Sequence, residues 1–137
     1  MKVLVIGFGS IGKRHYDVLS QLSEVQNIDL VTKQNIENIV CYINLEIIKN
    51  IEEYDYFVIA SETNKHFEQL KFLEENVKNK LIFCEKPLFE SKKYLEIKNN
   101  RVFIGYVLRF HPLLEKLKEM IKEEKILLVN AKCGQYL

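Results

Sequence analysis

A glycine triplet and one lysine are the residues of this chain whose types and spacing could do chemistry. Gly7, Gly9 and Gly12 stand as Gly-x-Gly-x-x-Gly directly after the apolar run Val3-Leu4-Val5-Ile6. Between a strand and a helix each glycine has its own task. Gly7 permits the tight turn, Gly9 lets the backbone approach a diphosphate, and Gly12 lets helix and strand pack closely. The diphosphate would lie at the helix N-terminus, against free N–H groups and the positive end of the dipole. The plainer reading, a glycine-rich turn with no ligand, is disfavoured by the strand and helix on either side. Lys86 stands between Glu85 and Pro87, after the apolar run Leu81-Ile82-Phe83-Cys84. A lysine partly desolvated beside a cofactor can donate to a substrate hydroxyl or shift its pKa toward neutrality. Glu-Lys-Pro alone is also a common surface tripeptide, so its weight comes from its place at a strand end.

These residues need elements to hold them. The patterning predicts strands over 3–6, 28–32, 39–42, 56–60, 81–84 and 102–108. A helix over 11–23 would turn Ile11, Tyr16, Leu19 and Leu22 toward the sheet. Asn44 would cap a short helix carrying Leu45, Ile48 and Ile51, and Asn64 a longer one carrying Phe67, Leu70, Leu73 and Val77. Ser91 would cap a helix through Ile97, stopped by Asn99-Asn100. Strands alternating with helices across short connections imply an α/β fold, a doubly wound parallel sheet built of right-handed βαβ units. From Pro112 the pattern changes. Leu113, Leu114, Leu117, Met120 and Ile121 make one apolar helix face, and a strand-like run over 126–131 follows. The expected domains are 1–111 and 112–137.

In such a sheet, ligands bind outside the carboxyl ends of the strands. Several polar exits converge there: the glycine turn with Phe8, Ser10 and Ile11; Thr32-Lys33; Ser61-Glu62-Thr63-Asn64; Glu85-Lys86; and Arg109. Lys13 and Arg14 in the first helical turn oppose the dipole, which makes sense beside a bound anion. About 20 residues past the third glycine an acid commonly binds the adenosine ribose of NAD. Here that place holds Thr32 and Lys33, with no carboxylate until Glu37. A hydroxyl and an ammonium suit a 2′-phosphate, so the expected cofactor is NADP over NAD; alternatively, Lys33 simply points to solvent.

Composition excludes several classes. Twenty basic and 19 acidic residues leave a net charge of +1 with no basic stripe, so nucleic acid is a poor partner. No apolar run approaches the ~20 residues of a membrane span, and the first run is too short for a signal-peptide core. Cys41, Cys84 and Cys133 match no zinc spacing, so no metal site is expected; they read as reduced, mostly buried thiols of a cytoplasmic protein.

Together these pieces resemble the N-terminal half of the glucose–fructose oxidoreductase, inositol dehydrogenase and rhizopine-catabolism family (Gfo/Idh/MocA). The resemblance rests on Gly7-Phe8-Gly9-Ser10-Ile11-Gly12-Lys13-Arg14-His15, Ala60-Ser61-Glu62-Thr63-Asn64-Lys65-His66, Cys84-Glu85-Lys86-Pro87-Leu88 and Gly105-Tyr106-Val107-Leu108-Arg109-Phe110-His111-Pro112. It implies a Rossmann NAD(P)-binding domain followed by the start of a truncated second α+β domain. It also implies hydride transfer with a sugar, sugar-derivative or nucleotide-sugar substrate. The family's Glu-Lys-Pro lysine contacts cofactor and substrate, which maps to Lys86. Its loop after the fourth strand lines the nicotinamide side, which maps to 61–64 and His66. Family members continue for roughly another domain of 100–200 residues, holding the substrate pocket and a second catalytic motif that usually includes a histidine. For His15, His66 and His111, packing or capping roles are at least as reasonable as catalysis. An apolar strand over 126–131 without partners would be an exposed edge, so the segment after Pro112 is expected to fold back, to self-associate into a homo-oligomer, or to be mobile. The alternative to an enzyme is a non-catalytic Rossmann module acting as a sensor or as one subunit.

Overall fold

Val3, Leu4, Val5 and Ile6 are fully buried in β1 (Lys2–Ile6), the strand around which the sheet is laid. Burying each such side chain contributes about 1.5–3 kcal/mol, so this one strand supplies a large share of the driving force for collapse. The computed structural model describes residues 1–132 and 134. Cys133, expected as a reduced thiol, lies outside the described residues. The chain divides into two units, Met1–Gly105 and Tyr106–Leu137.

In the first unit, β2 (Asn27–Val31), β3 (Cys41–Tyr42), β4 (Tyr56–Ile59), β5 (Leu81–Cys84) and β6 (Arg101–Ile104) join β1 in one sheet. The order is β3-β2-β1-β4-β5-β6 and every pairing is parallel. The chain runs outward from β1 to β3, crosses back to β4, and runs outward the other way. The topological switch therefore lies between β1 and β4, where doubly wound sheets open a ligand crevice. Period-2 alternation divides the core between the two faces. Val3, Val5, Leu30 and Val58 pack with Leu19 of α1 (Ser10–Leu19). Leu4, Ile6, Phe57, Ile59 and Ile82 pack with Leu70 and Leu73 of α2 (Thr63–Asn76).

Several elements differ from expectation. α1 ends at Leu19, because Ser20 Oγ and Gln21 Nε2 both donate to the Asp17 carbonyl and close the turn there. Ile11, inside the helix, and Leu22, beyond its end, are exposed rather than facing the sheet. No helix forms after Asn44; its Oδ1 accepts from Ile47 N–H in a single turn, and a 3-10 turn follows at Ile51–Glu53. Leu45, Ile48 and Ile51 are nevertheless buried. α2 starts two residues early, with Glu62 at the N-cap and Asn64 inside the helix.

The expected helix over 91–97 is absent as well, and β5 reaches β6 through a connection held by side chains of α2. Glu74 is buried, and its Oε1 accepts from the N–H groups of Lys98 (2.7 Å) and Asn99 (2.6 Å) while Oε2 accepts from Asn100 Nδ2 (2.9 Å). These bonds fix the chain at 98–100, just beyond the expected helix, so the approach to β6 is set by α2 and not by a local helical turn. β6 stops at Ile104 instead of continuing to 108.

In the second unit a 3-10 turn, Val107–Phe110, leads to α3 (Pro112–Met120). His111 caps α3 by accepting from Leu113 N–H, and Pro112 sits where a missing N–H costs nothing. Leu113, Leu114, Leu117 and Met120 are exposed. The run over 126–131 is not a strand: it has no regular structure, and Leu127 and Leu128 are each 86% exposed. A strand exists only through its pairing, and none of the described strands pairs with it. Among the described residues, no helix is long and apolar enough to cross a membrane.

Candidate functional site

The carboxyl edge of the sheet is a ladder of exit residues in register. Thr32 N–H donates to Tyr42 O, Gly7 N–H to Val31 O, Ala60 N–H to Ile6 O, Glu85 N–H to Ile59 O and Gly105 N–H to Cys84 O, at 2.8–2.9 Å. These bonds bring the loops after five strands to one edge, as convergence of polar residues requires.

A cleft of about 690 Å³ opens along that edge. Of the residues singled out in the sequence, Gly7, Phe8, Gly9, Ser10, Ile11, Thr32, Lys33, Ser61 and Glu62 line it. Gln34, Ile43, Asn44, Glu46, Lys65, Glu68, Gln69 and Phe72 also line it, and sequence reasoning missed them. Those on α2 recur at 65, 68, 69 and 72, a helical face that an i, i+3, i+4, i+7 count could have found. The turn after β3 carried no comparable signal.

The glycines differ in what they are for. Gly7 has φ +93°, and a Cβ there would sit 2.6 Å from Ser61 backbone atoms. A Cβ on Gly12 would fall 2.0 Å from the Gly7 carbonyl oxygen. Both are fixed by the turn itself. Among the described residues, no atom beyond its chain neighbours lies within 4 Å of such a Cβ on Gly9, so packing does not require glycine there. No side chain caps α1 at Gly9 and no acid lies in its first turn, which leaves the N–H groups of that turn without a side-chain acceptor. This is a cradle suited to a phosphate group.

Side chains brace the cleft from neighbouring loops. Thr32 Oγ1 accepts from Gln34 N–H at 3.1 Å, and Gln34 Nε2 donates to Phe8 O at 2.9 Å, tying the β2 exit to the glycine turn. Ser61 Oγ donates to Gln69 Oε1 at 2.6 Å. Lys65 Nζ lies 2.8 Å from Glu62 Oε2 and holds that carboxyl below its ordinary range, with Lys33 acting in the same direction.

The remaining candidates lie outside the lining of the cleft. Gly12 is buried in α1, and Thr63 and Asn64 open α2. His66 is buried, with Nδ1 3.1 Å and 3.2 Å from the carbonyl oxygens of Pro87 and Leu88, and Nε2 3.0 Å from that of Ser61. Glu85 is part-buried and meets His15 Nε2 at 2.8 Å through Oε1. Lys86 is exposed and precedes a cis peptide bond to Pro87. Arg109 is exposed, in the 3-10 turn of the second unit. Cys84 is buried, and burial followed by the Glu85 charge pushes its thiol up to about 12, so it is no nucleophile at neutral pH.

The fold has counterparts among solved structures. yvaA of Bacillus subtilis, described as an oxidoreductase, superposes with a TM-score of 0.69 at 20% identity, over 89% of this chain and 39% of that one. A Thermotoga maritima protein described as a dehydrogenase gives 0.66 at 25% identity, over 89% and 41%. A Sinorhizobium meliloti 1021 protein described as a myo-inositol dehydrogenase gives 0.65 at 19%, over 90% and 41%. The chain thus spans about two fifths of the length of these proteins. No curated protein sequence matches it. The model of the Gfo/Idh/MocA oxidoreductase family, an NAD-binding Rossmann fold, matches residues 1–106. With that match over most of its length and a parallel six-stranded sheet in the order 3-2-1-4-5-6, the chain belongs to the Gfo/Idh/MocA oxidoreductase family.

Proposed function

We propose that the chain is the cofactor-binding part of an oxidoreductase that moves a hydride between NADP and a sugar, sugar derivative or nucleotide-linked sugar. The observation carrying this reading is Gly9: a glycine the packing does not need, at an uncapped helix N-terminus lining a cleft. A diphosphate needs the close backbone approach that a side chain there would block. The bound nicotinamide ring supplies the hydride acceptor or donor.

The protein's own groups do the rest. First-turn N–H groups of α1 bind the diphosphate, Thr32 and Lys33 meet the ribose 2′-phosphate, and Ser61 and Glu62 face the cofactor from the β4 exit. Lys86 is the proposed catalytic residue, exchanging a proton with the substrate hydroxyl as the carbon beneath it gains or loses hydride. Gly12, Thr63, Asn64, His66 and Glu85 keep their proposed place around this site through the elements they hold.

Fluorescence titration of the chain with NADPH and NADH tests the first half of the reading. NADPH is expected to bind more tightly; tighter NADH binding overturns the NADP assignment, and binding of neither overturns the whole. A turnover screen over sugar alcohols and nucleotide-linked sugars tests the second half, with activity expected to vanish in Lys86→Ala. Tight cofactor binding without any turnover would reassign the chain as a non-catalytic nucleotide-binding module.

A further inference from the structure

The loop that carries Lys86 is gripped from both faces of the sheet, each time by a histidine. On the α1 face, the Nε2–H of His15 donates to Oε1 of Glu85 at 2.8 Å. The second oxygen of that carboxylate, Oε2, accepts the N–H of Lys86 at 3.2 Å. His15 and the Lys86 backbone are therefore joined through one carboxylate. The His15 ring also rests on Phe83, with centroids 5.1 Å apart, and Gly105 leaves room for the carboxylate, since a Cβ there would lie 3.0 Å from Oε2. On the α2 face, His66 is buried between the carbonyls of Pro87 and Leu88 at Nδ1 and that of Ser61 at Nε2. Carbonyls only accept, so a ring with two N–H groups serves both sides and a ring with one serves either.

We infer that His15 and His66 are positioning residues that hold Lys86 between them by fixing Glu85 from one face and Pro87-Leu88 from the other. His66 also ties this loop to Ser61, a residue of the cleft, so the two exits keep a fixed spacing. Neither histidine lines the cleft. The consequence for Lys86 at the cofactor rests on the function proposed above; the clamp itself does not.

Amide exchange by NMR on the full ¹⁵N-labelled, cofactor-free chain tests the clamp. In His15→Ala the Lys86 amide is expected to exchange about tenfold faster, the effect of one lost hydrogen bond, while Val5 and Phe57 at the sheet centre stay protected. His15→Gln, which keeps a donor at the place of Nε2, is expected to restore the wild-type rate. His66→Phe keeps ring volume and removes both ring nitrogens, so Leu88 and Phe89 are expected to accelerate in the same selective way. Unchanged exchange at Lys86 in His15→Ala, or acceleration that Gln fails to reverse, overturns the proposal. A second arm reads Lys86 itself, as its acylation rate by acetic anhydride with and without NADPH. Protection by NADPH in the wild type, lost in both variants, supports positioning of Lys86 at the cofactor. Selective exchange with no NADPH protection in the wild type upholds the clamp and overturns the cofactor role of Lys86.

Discussion

The hydroxyl of Tyr54 donates to Oδ2 of Asp29 at 2.5 Å, with both side chains buried on the α2 face of the sheet. Asn27 Nδ2 satisfies the other carboxylate oxygen at 2.8 Å. Tyr54→Phe would strand one oxygen of a buried carboxylate, and a loss of about 1–3 kcal/mol is expected in urea unfolding. The pair also gives stability an alkaline limit. Burial, and then the bond to Asp29, raises the Tyr54 hydroxyl well above the ordinary value of 10.0. The folded chain thus keeps a proton that the unfolded chain gives up, so the Tyr54 contribution is full below about pH 10 and declines above it by about 1.4 kcal/mol per pH unit. The stability gap between wild type and Tyr54→Phe is expected to narrow between pH 9 and 11.

Gly9 and Gly12 should part company on substitution. Gly9→Ala meets no protein atom and is expected to melt within a few degrees of wild type while losing most NADPH binding. Gly12→Ala drives a methyl into the Gly7 carbonyl and is expected to cost about 1–3 kcal/mol or more. A Gly9→Ala protein that binds NADPH like wild type would remove the main support for a diphosphate at that turn.

Lys33→Ala tests the cofactor preference. A charge-assisted contact contributes about 1.5–3 kcal/mol, so NADPH affinity is expected to fall about ten- to a hundredfold while NADH affinity barely moves. Equal losses for both would assign Lys33 a role away from the 2′-phosphate.

Glu74 gives stability an acid limit. Burial raises its carboxyl, but bonds from Asn99 N–H, Lys98 N–H and the Asn100 amide outweigh burial and leave it below the ordinary value of 4.5. Its contribution is therefore present above that value and lost as pH falls through the lowered one. Glu74→Gln presents a donor to the Asn100 amide and is expected to melt lower at pH 7, by about 1–3 kcal/mol, with a flatter profile from pH 6 to 3.

What the sequence made legible was what periodicity and glycine chemistry dictate: the apolar strands at the sheet centre, the two helices that cover it and the turn at Gly7. It failed where long-range side chains replace local bonding. Leu45, Ile48 and Ile51 are buried at helical spacing, yet successive turns satisfy that spacing equally well. Ser91 looked like a cap, but what holds this connection is long-range: His66 grips it at Pro87-Leu88 and Glu74 at Lys98-Asn99, on either side of the expected helix. The signal was present in α2, where an acid follows Leu70 by four residues on the face meant for the core. Asp29, between Ile28 and Leu30, was the same kind of clue. The apolar run over 126–131 shows the opposite error, since β propensity without a partner strand makes no strand.

The connection from β5 to β6 is fastened at its ends, by His66 at Pro87-Leu88 and by Glu74 at Lys98-Asn99-Asn100. Between them Phe89 packs on Phe67 and Lys93 lies over the same ring, while Ser91 and Lys92 are exposed. A segment tethered this way is a natural graft point. Because each doubling of loop length costs only about 0.6 kcal/mol in closure entropy, extra sequence let in between Ser91 and Lys92 would leave both fastenings, and the sheet beneath them, intact.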